Sequence, residues 1–177
     1  MISETIRRGK MSFVKQDIEK LDGNVFREIG NEWMLVTAEK DGKVNTMTAS
    51  WGGEGVLWNE NVAFVFIRPQ RYTYEFTENS EYMTLSFFGG DYKKELSYLG
   101  TRSGRDEDKI AKTGLHVEYV DSHPTFSEAT KVLVCRRLYS DMIKEDCFID
   151  KAMLSHYEKK DFHRMYVVKV EAVYIKE

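Results

Sequence analysis

Residues 33–51 read WMLVTAEKDGKVNTMTASW, and this stretch sets the fold class. Trp33 to Ala38 is an apolar run of residues that suit a pleated, half-buried surface. Asp41-Gly42 follows, and an Asp-Gly pair between two such runs is the strongest short hairpin signal, because both turn positions need positive φ. Val44 to Trp51 then returns as the second arm.

Downstream of this hairpin, Gly52 to Gly55 reads as a flexible loop, Val56-Leu57-Trp58 as a short segment and Asn59-Glu60-Asn61 as a turn. Val62 to Ile67 is unbroken apolar, the pattern of a central strand. The residue before a proline is pushed out of the α region, so the short helix over Tyr72 to Asn79 is expected to begin only after Pro69. Glu81 to Phe88 reads as a strand, and Tyr92 to Leu99 as a helix stopped by Gly100. Arg105 to Lys112 reads as a second short helix with an acidic first turn. The β pattern resumes in Leu115 to Val120, Ala129 to Met142 and Phe162 to Ile175. Between the last two, Phe148-Ile149 reads as loop or short strand and Ala152 to Tyr157 as helical. Upstream, a short helix around Gln16 to Leu21 and a loop to Gly30 are expected. Strands outnumber helices, which points to a mainly β chain: a β-barrel with short helices, not a doubly wound sheet. No linker, repeat or low-complexity run divides the 177 residues, so residues 1–177 read as one domain.

Composition excludes several classes. Hydrophobic residues at 42% and charged residues at 31% are a globular balance. No stretch approaches the roughly 18 apolar residues of a membrane span. The opening MISETIRRGKMSFVKQDIEK lacks the apolar core of a secretory signal, so the expected location is the cytoplasm, with no membrane partner. A net charge of -3 argues against a chain-wide basic surface for nucleic acid. Cys135 and Cys147 read as structural thiols. None of the four histidines pairs with another at i, i+4 around a Glu, no CxxC exists and no GxSxG elbow appears, so neither a metal site nor an activated serine is expected. Aromatics at 13% suit strands, and they equally suit a site that stacks a flat ring.

Three segments are candidates for a ligand. In Asn45 to Gly53, small and polar residues dominate a hairpin arm, so a ligand could approach the backbone; an edge strand with a polar face explains the pattern equally well. Arg68 to Thr73 joins the end of a buried strand to a helix start, where two arginines and a hydroxyl suit a phosphate better than a plain solvated loop does. Gly100 to Lys109 has the composition of a phosphate cradle without the P-loop spacing, and alone it reads as a solvated loop.

In this order and spacing, NTMTASWGG, VFIRPQRYTYEF, TLSFF and GTRSGRDEDKIAKTGL resemble the flavin reductase-like (flavoredoxin) family of FMN-binding split barrels, from about Trp33 to Gly114, with a weaker match in the final strand. Members often carry a proline in the turn before the third strand, where this chain has Asn59-Glu60-Asn61. The resemblance implies a six-stranded Greek-key split barrel and a homodimer with FMN near the subunit interface. It implies that the backbone of Met47, Thr48, Ala49, Ser50 and Trp51 faces the isoalloxazine, and that Arg68, Tyr72 and Thr73 hold the phosphate or ribityl chain. Ser86 and Phe87 would line the cofactor, and Ser103, Gly104 and Lys109 would close over phosphate or ring edge. His163 and Arg164 would reach a flavin across the dimer. The implied activity is reduction of flavin by NADH or NADPH, with hydride passing from nicotinamide to flavin and no catalytic side chain required. The alternative is a non-enzymatic FMN electron carrier serving a redox partner protein.

Overall fold

Alternation along a strand sends successive side chains to opposite faces, so a strand between two apolar layers must be apolar throughout. The computed structural model describes residues 12–177; Val62–Ile67 of β5 and Val132–Cys135 of β9 follow that rule, while β6 buries Thr84 and Ser86 with their hydroxyls bonded to the Pro124 carbonyl and the Thr125 hydroxyl. The first eleven residues, which the single-domain and leader readings include, lie outside the described residues.

The strands are β1 (Phe13–Gln16), β2 (Met34–Lys40), β3 (Lys43–Ala49), β4 (Gly52–Leu57), β5 (Glu60–Ile67), β6 (Tyr82–Phe87), β7 (Val117–Val120), β8 (His123–Phe126), β9 (Lys131–Met142) and β10 (Arg164–Lys176). The helices are α1 (Val25–Arg27), α2 (Tyr72–Asn79), α3 (Lys93–Thr101) and α4 (Lys109–Thr113). The main sheet runs β3-β2-β6-β9-β10-β5-β4, with β1 paired to the far end of β10. The six-stranded split barrel is the run from β3 to β5; β4 and β1 extend it. The long β10 returns between β9 and β5, antiparallel to both.

Met34, Val36 and Ala38 of β2 face the barrel interior, along with Leu133 and Cys135 of β9 and Tyr166 and Val168 of β10. Leu35, Val132 and Val134 face outward, where Leu96, Leu99, Val120 and Phe126 cover them from α3 and the β7–β8 hairpin. Each of the buried Val, Leu, Met and Phe side chains among these contributes about 1.5–3 kcal/mol. In β10 the pairing shifts between Val170 and Ala172, so Glu171 is an extra residue. The bulge reverses the parity: Val170 and Val173 both face inward, while Ala172 and Tyr174 face outward.

Three hairpins turn on two residues with positive φ: Asp41-Gly42 (52° and 72°), Trp58-Asn59 (55° and 58°) and Asp121-Ser122 (46° and 65°). The first is the expected Asp-Gly turn. The second converts the expected loop over Gly52 to Gly55 into β4, whose glycines hide its strand character. The third makes β8, which no sequence signal announced because neither turn residue is glycine. Around Gln16 to Leu21 the expected helix is a single 3-10 turn over Ile18–Lys20, preceded by β1. The helix expected from Arg105 starts later, because the Asp108 carboxylate caps it by accepting from the Ala111 N–H at 3.1 Å. No helix among the described residues is long and apolar enough to cross a membrane.

Candidate flavin site

Strand β3 is the last strand of the sheet, so its outer edge has no ladder partner among the described strands. An unpaired edge presents a row of free N–H and C=O groups. At the end of β3 this row opens on a cavity of about 200 Å³ lined by Met47, Thr48, Ala49, Ser50, Trp51, Phe66, Arg68, Arg71, Gly100 and His163. Three of the sequence candidates thus converge: the β3 arm, the end of β5 with the start of α2, and the start of β10.

Close packing fixes the wall opposite β3. The Thr48 hydroxyl donates to the Leu96 carbonyl of α3 at 2.5 Å. A Cβ on Gly100 would sit 3.2 Å from the Thr48 Cβ, so glycine lets α3 approach the strand. Arg71 precedes the first residue of α2 and donates to the Gly100 carbonyl at 2.6 Å. No carboxylate among the described residues pairs with Arg71 within 4.0 Å. Burial, and then the Arg68 charge, lower its pKa. This arginine is a functional candidate that the resemblance did not carry over.

Arg68 is differently placed. Its guanidinium is ion-paired with Asp161, donates to the His156 carbonyl at 3.1 Å and lies 5.4 Å from the Tyr157 ring centre. Gln70 also donates to Asp161 at 2.9 Å, and the Asp161 carboxyl is held below the usual range chiefly by Arg68. These contacts anchor the segment before β10. Within that segment Tyr157 and Phe162 stack at 4.8 Å. Trp51 packs tilted on His163 at 5.1 Å and edge-on to His156 at 5.4 Å.

His163 is 8% exposed, and its Nδ1 shares a 2.9 Å hydrogen bond with the Tyr157 hydroxyl. Burial first, then the Arg68 charge, take its pKa down to about 4, so it is neutral at pH 7. The cavity therefore presents cationic side chains, a neutral imidazole, an indole and an unpaired backbone edge. That set suits a flat, hydrogen-bonding ring attached to an anion.

The remaining sequence candidates lie elsewhere. Gly104 and Lys109 line a second groove of about 690 Å³ with Lys43, Asn45 and Arg105. Beside it Tyr72 is flanked by Lys43 and Arg105, at 5.1 and 4.8 Å from its ring centre. The buried Thr73 hydroxyl accepts from Asn45 at 2.8 Å. The Lys109 ammonium donates to the Leu99 and Arg102 carbonyls at 2.7 and 3.0 Å, clasping the end of α3, and burial lowers its pKa to about 8. Ser103 accepts from the Arg105 N–H at 3.2 Å, within the loop. Ser86 is buried against the Thr125 hydroxyl at 2.8 Å, under the β7–β8 hairpin. Phe87 points into the barrel, with the Lys131 ammonium 4.3 Å from its ring centre. Arg164 donates to Ser140 at 3.0 Å and does not line the cavity.

Comparison with known proteins gives the family. The flavin reductase like domain model matches residues 26–177. The chain belongs to the flavin reductase like family. An FMN-binding domain of a flavin reductases-like enzyme from Shewanella baltica OS155 superposes with a TM-score of 0.67 at 16% identity, covering 93% of this chain and 78% of that one. Flavoredoxin from Methanosarcina acetivorans gives 0.62 at 25% identity, covering 92% and 76%. The styrene monooxygenase flavin reductase from Pseudomonas putida S12 gives 0.60 at 15% identity, covering 80% and 77%. No curated protein matches the chain by sequence.

Proposed function

We propose that this member of the flavin reductase like family binds FMN along the free edge of β3 and reduces it with NADH or NADPH. The observation that carries the reading is the junction of that unpaired strand edge with Arg71, whose charge no carboxylate among the described residues offsets. The names of similar proteins support it: one is an FMN-binding domain and another a flavin reductase. When bound, the flavin supplies the redox chemistry, accepting hydride from the nicotinamide.

The chain's own groups bind and orient. Backbone groups from Met47 to Trp51 would hold the ring edge, and Arg71 would supply the positive potential that favours an anionic phosphate or reduced ring, while Arg68, paired with Asp161, fixes the cavity wall. Trp51 and neutral His163 provide an aromatic wall that adds no positive charge. The neighbouring groove lined by Lys43, Gly104, Arg105 and Lys109 also carries Asp106, Glu107 and Asp108, so it offers a phosphate-bearing tail no net positive charge. A cavity of about 200 Å³ is smaller than sites that enclose a whole ligand of this size. Part of a bound flavin would then lie outside this cavity, where a nicotinamide or a second copy of the chain would cover it. On this reading the protein works as a cytoplasmic homodimer.

The test is an anaerobic titration of the protein, loaded with one equivalent of FMN, with NADH and separately with NADPH. Flavin bands near ~370 and ~450 nm should bleach with one of them at a rate above that of free FMN. Bands that persist with both nucleotides but bleach with a reduced protein donor would identify a carrier instead. No FMN binding at all would refute the ligand.

A further inference from the structure

Two cations meet at the C-terminal end of α3, and only Arg71 lines the flavin cavity. The last carbonyls of a helix have no intrahelical donor. α3 ends without a left-handed glycine to recover them, since its C-cap is Arg102 in an extended conformation. Side chains supply the donors instead. Arg71 gives one to the Gly100 carbonyl at 2.6 Å. Lys109 gives two, to the Leu99 and Arg102 carbonyls at 2.7 and 3.0 Å. The carbonyl that holds Arg71 therefore lies between two that Lys109 holds.

The sequence builds this clasp locally. Asp108 caps α4, which makes Lys109 its first residue, with a side chain that runs back to α3. The adjacent Glu107 is committed to Lys112 and to the Tyr98 hydroxyl, which donates to it at 2.6 Å. No carboxylate among the described residues lies within 4.0 Å of the Lys109 ammonium. Burying a cation without a counter-ion is costly. Here the negative end of the α3 dipole answers both charges. Burial first, then the Arg71 charge, lower the Lys109 pKa, so the two cations feel each other. Lys109 is 3% exposed and spends two of its three N–H donors on the backbone. That leaves little of it for a ligand, unlike the closure over phosphate or ring edge that the family resemblance implies.

We infer that Lys109 is a positioning residue of the flavin site: its ammonium fixes the last turn of α3, so that the Gly100 carbonyl holds the Arg71 guanidinium at the cavity. The inference rests on the proposed role of Arg71 toward FMN. Gly100 is also where α3 comes against Thr48, a Cβ there lying 3.2 Å from the Thr48 Cβ. The turn that Lys109 clasps thus sets both the arginine and the wall facing β3.

The test is a double-mutant cycle. FMN affinity is measured by fluorescence quenching for the full chain, Lys109→Met, Arg71→Ala and the double variant. Methionine keeps a buried stem of similar length and removes the donors and the charge. Lys109→Met should weaken FMN about tenfold when Arg71 is present and hardly at all when it is absent, because the effect passes through the guanidinium. Losses that multiply in the double variant would overturn the inference, as would unchanged affinity in Lys109→Met. Heteronuclear relaxation of the Arg71 Nε–H in the chain without ligand gives a second readout. Its order parameter should lie near ~0.85 in the unaltered chain and fall below ~0.6 in Lys109→Met. Equal order in the two would also overturn the inference. If Lys109→Met does not fold, the unaltered chain decides: an ordered Arg71 Nε–H supports the clasp and a flexible one refutes it. If the unaltered chain binds no FMN, the ligand reading fails, and the relaxation of Arg71 still decides the role of Lys109.

Discussion

Replacing His163 by Gln should make the protein markedly less sensitive to acid. His163 is buried against Tyr157 and faces the Arg68 charge, and its pKa falls to about 4 from the ordinary value near ~6.5. As pH falls, the unfolded chain takes up this proton before the folded one does. The stability held by neutral His163 is therefore complete above about pH 6.5 and is lost progressively down to about pH 4. At pH 5 the unfolded imidazole is almost fully protonated and the folded one hardly at all, which amounts to about 2 kcal/mol. Gln does not titrate and can still accept from the Tyr157 hydroxyl. Urea unfolding of both proteins at pH 7.5 and pH 5 isolates the effect, because every other titrating group cancels in the difference. The unaltered protein should lose about 2 kcal/mol more than His163→Gln between the two values. Parallel losses would show that His163 charges as readily in the fold as in the free chain, and would remove the neutral imidazole from the account of the site.

Three further changes probe other parts of the argument. Arg71→Ala removes the cation that no carboxylate among the described residues offsets, so FMN affinity measured by fluorescence quenching should fall tenfold or more with the fold intact; unchanged affinity would take the phosphate away from this arginine. Gly42→Ala places a Cβ where nothing lies within 4 Å but φ is +72°, so thermal unfolding should report a loss of about 1 kcal/mol from backbone strain alone. A Cβ on Gly104 would lie 2.3 Å from the Asn45 Oδ1, so Gly104→Ala should break the Asn45–Thr73 bond, costing roughly 1–3 kcal/mol in chemical denaturation; stability within a few tenths of the parent would mean that this loop yields freely.

The parts of the fold that were legible in the sequence are those with a local cause. The Asp41-Gly42 turn, the apolar run of β5 and the start of α2 after Pro69 each follow from a rule acting within a few residues. β4 and β8 were not legible because their strand character comes from a neighbour: β5 holds the glycine-rich Gly52–Leu57, and Pro124 in β8 is tolerated because the two-stranded β7–β8 sheet has a free edge. The site divides the same way. Met47 to Trp51 are contiguous, so a stretch of small residues could flag them all. Arg71 and Gly100 meet only because α2 and α3 both pack on β3. Ser86 and Phe87 lie on opposite faces of β6, one under the β7–β8 hairpin and the other inside the barrel, and neither lines the cavity at the end of β3.

The two arginines at the end of β5 look interchangeable in sequence, and the fold separates them by what each can pair with. Arg68 reaches a segment about ninety positions later and is neutralised there by Asp161, with Gln70 as a second donor to the same carboxylate. That arrangement trades anion affinity for position: the charge pair pins the residues leading into β10 and so sets where His163 stands beside Trp51. Arg71 points toward α3 and finds only a carbonyl, which orients the guanidinium without cancelling its charge. A cavity that is to hold an anionic group, as proposed, and also keep its walls in register needs both roles. One uncancelled cation beside one cancelled cation also limits the repulsion between them, since two bare guanidiniums at this spacing would each disfavour the other. Asp161, sixteen positions before the end of the chain, thus shapes the cavity wall through Arg68 without lining the cavity.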